Sequence, residues 1–186
     1  MKKLLLLILI TTFNNYAQET YLLNKTTLLD WQGKASFSSY SPIGSLAVNT
    51  ATMNIKNDSL MQLVVSVDMT TLSQENKQLE GHLRGDDFFD VQVYSTASFT
   101  LITPFSLASK NVVLEGLMTI RGKTNKESIN ATVSRKEQGW VVSFDHTFDR
   151  TTYGINYNSP SIFKRLKENA IDDNFTLKGS LEFIQK

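Results

Sequence analysis

Beyond an apolar N-terminal run, hydrophobic residues recur almost entirely at every second position, the period of strands with one face inward and one outward. In Met61, Leu63, Val65, Val67 and Met69 the odd positions are apolar, while Gln62, Ser66 and Asp68 occupy the other face. Phe175, Leu177, Gly179, Leu181 and Phe183 alternate in the same way with Asn174, Thr176, Lys178, Ser180 and Glu182. The phase returns in Leu29, Trp31, Gly33, Ala35 and Phe37, in Ala97, Phe99 and Leu101, and in Ile129, Ala131 and Val133. Turn-forming groups separate these runs: Ser41 to Gly44, Asn57-Asp58, Ala108 to Asn111, Arg121-Gly122-Lys123 and Glu137-Gln138-Gly139. About eight strands in series, with no alternation of strand and helix, predict an all-β, antiparallel fold. It must close into a barrel or a strongly curled sheet, because each apolar face has to be buried.

Two segments break the pattern and predict short helices. Ser73 to Leu83 is polar, with Ser73 as N-cap and Leu72, Leu79 and Leu83 spaced to press on the sheet. It continues into Asp86-Asp87-Phe88-Phe89, where an acidic residue caps a short turn and the two rings plug the barrel. In Ser159 to Asn169, Pro160 suits a helix start, and Ile162, Phe163 and Leu166 form one apolar stripe.

The N-terminus changes the picture of where this barrel works. Lys2 and Lys3 precede an apolar run from Leu4 to Ile10, followed by a polar stretch ending at Tyr16-Ala17-Gln18. That is the layout of a secretory signal peptide over residues 1–17, with one domain over 18–186. The run is too short for a transmembrane helix, which needs roughly 20 apolar residues. The expected location is periplasmic or secreted. The chain has no cysteine, so it carries neither disulfides nor the lipid-modified cysteine of a tethered lipoprotein. Nineteen basic residues face eighteen acidic ones, and losing Lys2 and Lys3 leaves a net charge of about −1, which argues against nucleic acid as a partner.

Gly81-His82-Leu83-Arg84-Gly85-Asp86-Asp87-Phe88-Phe89-Asp90-Val91, followed by Tyr94 to Phe99, resembles the central signature of the YceI-like, polyisoprenoid-binding family. Gly116 to Thr124 and Asp149 to Gly154 are similar to two further elements of that family. Trp31 to Lys34 and Ile171 to Phe175 resemble elements of a branch common in Bacteroidetes. Ser95, Gly85 and the pair Lys126-Glu127 depart from the pattern, and the last puts charge on a normally apolar strand, implying a more exposed edge there. The loop Ser39 to Ser45 stands where a histidine-bearing hairpin is expected, so no ligand contact is carried over from it. The resemblance implies an exported, lipocalin-like barrel, often a homodimer, whose apolar interior holds an isoprenoid-type or fatty lipid. A barrel of about eight strands independently has an interior just able to hold one small ligand.

Candidate chemistry is sparse. His82 and His146 are the only histidines, so a tetrahedral zinc site would need both plus carboxylates, and no metal or cofactor is expected. His146 lies between Phe144 and Phe148 in the inward phase, as a rim histidine or a contact to a ligand head. Asp86, Asp87 and Asp90 read as solvated turn caps rather than acid–base pairs. Ser143, Asp145 and His146 have the residue types of a triad, but neighbouring strand residues point to opposite faces, and no catalytic residue is assigned. Arg84 and Arg150 can fork onto a charged head group or pair with aspartates. The candidate ligand-binding set is Trp31, Phe37, Leu63, Val65, Val67, His82, Arg84, Phe88, Phe89, Phe99, Leu101, Phe144, His146, Phe148, Arg150 and Tyr153. Its apolar members either line a cavity or fill a core, a choice periodicity leaves open. The expected function is a binding protein that stores, shields or carries an apolar lipid. The alternatives are an exported enzyme on the same barrel, or an interaction protein with a filled core.

Overall fold

Period-two alternation becomes strand after strand in the computed structural model, which describes residues 17–186. In chain order the strands are β1 (Glu19–Leu23), β2 (Thr27–Gln32), β3 (Ile43–Lys56), β4 (Ser59–Gln74), β5 (Thr96–Leu101), β6 (Phe105–Ser106), β7 (Asn111–Ile120), β8 (Lys123–Lys136), β9 (Gly139–Asp149) and β10 (Asn174–Gln185). One helix, α1 (Lys77–Arg84), follows β4. Strands β2, β3, β4, β5, β7, β8, β9 and β10 are hydrogen-bonded antiparallel in that cyclic order, and β10 returns to β2. The result is a closed, lipocalin-like barrel of eight staves. Strand β1 prolongs the first stave between β3 and β10, and β6 pairs with the start of β4.

Turn geometry sets the register. Asn57 and Asp58 take φ of 51° and 53°, and Arg121 and Gly122 take 49° and 70°. Positive φ at both central residues is the two-residue hairpin turn whose twist matches the flanking strands. Near the first of these turns Asn54 pairs with Gln62 but Ile55 with Leu60, so Met61 is the extra residue of a bulge. The expected inward phase of Met61 is thereby corrected: Leu60 is fully buried and Met61 is 43% exposed.

The helical expectations are corrected too. Strand β4 runs on to Gln74, so the cap of α1 is Asn76 rather than Ser73, its side chain accepting the N–H groups of Gln78 and Leu79 at 3.0 and 3.1 Å. Glu80 accepts the Gln74 N–H at 2.9 Å, and with Lys77 alongside this holds its carboxyl below the usual range. The second expected helix, Ser159 to Asn169, does not form. The segment holds one helical turn, with the Phe163 N–H on the Ser159 carbonyl, and a 3₁₀ turn at Lys167–Asn169. Ile162 and Phe163 stay exposed, and so short a helix is marginal without an apolar face to pack. Among the described residues no helix is long and apolar enough to cross a membrane. The signal-peptide assignment, residues 1–17, lies outside the described residues except for Ala17.

One seam is incomplete. The β8–β9 ladder ends at Ala131 opposite Phe144, although β8 reaches back to Lys123 and β9 runs on to Asp149. Side chains, not backbone, span the split.

Candidate functional site

The inward faces of the staves leave a cavity of about 90 Å³ with an entirely apolar accessible wall. Leu63, Val65, Val67, Phe99, Phe144 and Phe148 line it, joined by Met69, Met118 and Leu177. Room for it depends on a small residue: a Cβ at Gly116 would lie 2.2 Å from the Phe99 ring, which therefore lies flat against the β7 backbone.

A second cavity, of about 100 Å³, lies beyond it toward α1 and the loops joining β2 to β3 and β9 to β10. Trp31, Tyr40, Pro42, Leu79, His82, Phe88 and Arg150 line this outer chamber. The two chambers share Phe89 and Phe175, whose rings meet edge-to-face at 5.7 Å. Trp31 stacks on Phe175 at 5.8 Å and Phe148 packs against it at 5.3 Å. An aromatic partition thus divides the barrel interior in two.

The polar candidates are spoken for. Arg150 is buried beneath Phe88, and its Nε, Nη1 and Nη2 donate to the carbonyls of Asp172, Ile155 and Ile171 at 3.0, 2.6 and 2.9 Å. Asp173 lies 3.6 Å away. Burial pulls the guanidinium below its ordinary pKa, against the opposing pull of Asp173, Asp149 and Asp172. Arg150 therefore acts as a clamp that ties the β9–β10 loop across the barrel end, not as a free fork. His82 sits edge-on between Phe88 and Tyr157, with ring centroids at 5.1 and 4.7 Å. Arg84 is half-buried on α1 near Glu80, and lines neither chamber.

A polar cluster spans the β8–β9 split. Tyr153 Oη donates to Glu127 Oε1 at 2.6 Å, and His146 Nε2 lies 3.2 Å from Glu127 Oε2. Burial and the Glu127 carboxylate together raise the Tyr153 phenol far above its ordinary value. Asn125 reaches the Thr152 carbonyl at 3.2 Å beside them.

The expectation of a more exposed edge at Lys126-Glu127 is corrected: Lys126 faces out toward Glu115 at 3.8 Å, while Glu127 faces in as an acceptor. Its signal was present, since Glu127 is in phase with the buried Ile129, Ala131 and Val133. Phe37 is likewise corrected, because β2 ends at Gln32 and the following loop carries its ring to the surface, 67% exposed. Leu101 is buried outside both chambers. Among the described residues no three histidine or acidic side chains come together to hold a metal.

Three kinds of similarity bear on this barrel. In the solved structures it is similar to a polyisoprenoid binding domain from Saccharophagus degradans implicated in plant cell wall breakdown, with a TM-score of 0.63 and 16% identity over 89% of this chain and 98% of that one. It is also similar to BcnA of Burkholderia cenocepacia, with a TM-score of 0.59 and 14% identity over 84% and 95% of the two chains. At such identities the likeness shows the fold alone. A UPF0312 protein of Vibrio cholerae is 31% identical over 75 residues, and the chain spans only 40% of the length of that relative. The model of the YceI-like domain matches residues 27–183, which is most of the chain and every stave of the barrel, so the protein belongs to the YceI-like family.

Proposed function

We propose that the protein is an exported binding module that holds one apolar isoprenoid-type or fatty lipid in the barrel and stores, shields or carries it. The observation that carries this reading is the inner chamber's wholly apolar wall. A void bounded by carbon has nothing to offer water and accepts hydrocarbon. Burial of about 300 Å² of chain, at about 25 cal/mol per Å², supplies on the order of 7 kcal/mol before association entropy is subtracted.

The two chambers, of about 90 and 100 Å³, are each smaller than the roughly 300–1,000 Å³ of ordinary ligand pockets. A long chain therefore needs them joined, which a rotation of Phe89 out of the partition achieves. The Glu127–His146–Tyr153 cluster supplies the residue types an enzyme would use, yet both carboxylate oxygens already face a partner and the cluster lines neither chamber. We read it as the closure of the seam.

Mass spectrometry of an organic extract of the purified protein tests the reading, alongside titration of a fluorescent fatty acid into wild type and Val65→Trp. One lipid per barrel, with probe binding abolished in the folded Val65→Trp variant, is the expected result. No extractable lipid and no difference between the two proteins would show a filled core.

A further inference from the structure

The outer chamber opens between two loops that are stitched together. The Ser36 N–H donates to the Ala170 carbonyl at 2.9 Å, the Asp172 N–H to the Lys34 carbonyl at 2.8 Å, and Ala35 bridges to Ile171. On this rim Phe37, Tyr40 and Ile43 are 67%, 55% and 65% exposed, and on the β9–β10 loop that is stitched to it Ile162 and Phe163 are 45% and 49% exposed. Isolated apolar residues on a surface need no explanation, but five on two segments stitched together beside an apolar chamber do. Lys34 stands on the first of these segments and Lys164 and Arg165 on the second, all three exposed. Residues 34–43 and 158–167 contain no acidic residue, so these three cations stand against one exposed carboxylate on the β9–β10 loop, Glu168, with Asp172 turned into the chamber wall; the exposed Asp86 and Asp87 lie toward the β7–β8 turn, where Arg121 holds the Asp86 carbonyl at 2.6 Å.

We propose that this rim is a docking surface for an anionic phospholipid bilayer, onto which the protein sets the mouth of its chamber. The rings and aliphatic side chains enter the boundary between headgroups and acyl chains, while the three cations meet the phosphates. The proposal rests on the lipid-binding reading in one respect: a lipid that left its bilayer through water would expose every methylene, whereas a mouth seated on the membrane lets the tail slide straight into the chamber. The surface itself is independent of what the chamber holds.

Co-sedimentation of the mature protein with vesicles tests the proposal, using phosphatidylcholine alone and phosphatidylcholine mixed with phosphatidylglycerol. Wild type should sediment with the mixed vesicles and be released by salt. The double variant Lys164→Gln/Arg165→Gln should bind them on the order of 30-fold more weakly at low ionic strength. Phe37→Ser/Phe163→Ser should lose binding to the mixed vesicles as well. All these side chains are exposed, so circular dichroism should be unchanged. Uptake of a fluorescent fatty acid from solution separates the two readings. Vesicle binding without probe uptake upholds the docking surface and sinks the lipid-binding function. Probe uptake with no vesicle binding overturns the docking surface alone. Vesicle binding equal in all variants also overturns it, as does a dimer that Phe163→Ser dissolves in the absence of any vesicle binding, since the rim would then be an interface between copies.

Discussion

Replacing Phe89 by alanine removes the ring that both chambers share and so tests the partition directly. Phe89 is 4% exposed and packs edge-to-face on Phe175. Truncating a buried phenylalanine typically costs about 3 to 5 kcal/mol. Here the ring borders a void on each side, so part of its surface has no packing partner to lose, and the expected loss is about 3 kcal/mol. That lies well inside the roughly 5–15 kcal/mol of a native domain, so the variant should fold. The joined chambers should then accept a long chain without first displacing a side chain. A lipid at a hundred times its dissociation constant stabilises by about 2.7 kcal/mol, nearly restoring the empty wild type's stability. The assay is urea denaturation, with and without a saturating fluorescent fatty acid, checking that the slope with denaturant is unchanged. Wild type should gain less, because part of its binding energy moves Phe89. A loss below about 0.5 kcal/mol would mean the ring plugs nothing. Equal stabilisation of both proteins by lipid would mean that Phe89 does not separate the chambers.

Arg150→Met should destabilise by about 3 kcal/mol or more, since three carbonyls lose a charged donor, while probe affinity per folded molecule stays near wild type. Thermal melts with probe titration check this, and a selective loss of affinity would restore Arg150 as a ligand contact. Tyr153 gives a pH prediction with a definite sign. Its native pKa lies above the unfolded value of 10.0, so the unfolded chain releases that proton first, and stability present below pH 10 declines as the pH rises further. Tyr153→Phe should flatten that alkaline branch in urea midpoints, and an unchanged slope would show the phenol to be solvated. N-terminal sequencing of exported protein should find a start near Gln18, and a mature species retaining Met1 in the cytoplasm would refute export.

Strand identity and barrel closure were legible in the residues because they follow from local alternation. Once Leu63, Val65 and Val67 share a face with a period of two, the chain has to bury that face, and eight such staves can do so by closing. The plug at Phe88-Phe89 was legible for a similar reason, as two adjacent large rings beside a helix have nowhere else to go. What alternation cannot carry is any event that shifts its phase or depends on a partner far along the chain. The bulge at Met61 exchanges Leu60 for Met61 in the core, and only the pairing of Asn54 with Gln62 shows it. The expected helix at Ser159 to Asn169 had its apolar stripe, but no surface came to meet it. Arg150 and Glu127 were visible as charges without assignable partners, because those partners lie 5 to 26 residues away and are mostly backbone carbonyls and a phenol. A buried charge is tolerated only where its hydrogen bonds are met, and tertiary structure alone decides which groups arrive to meet them. The sequence thus determined a barrel with an apolar interior, and the three-dimensional packing decided that this interior is two chambers separated by a partition of aromatics.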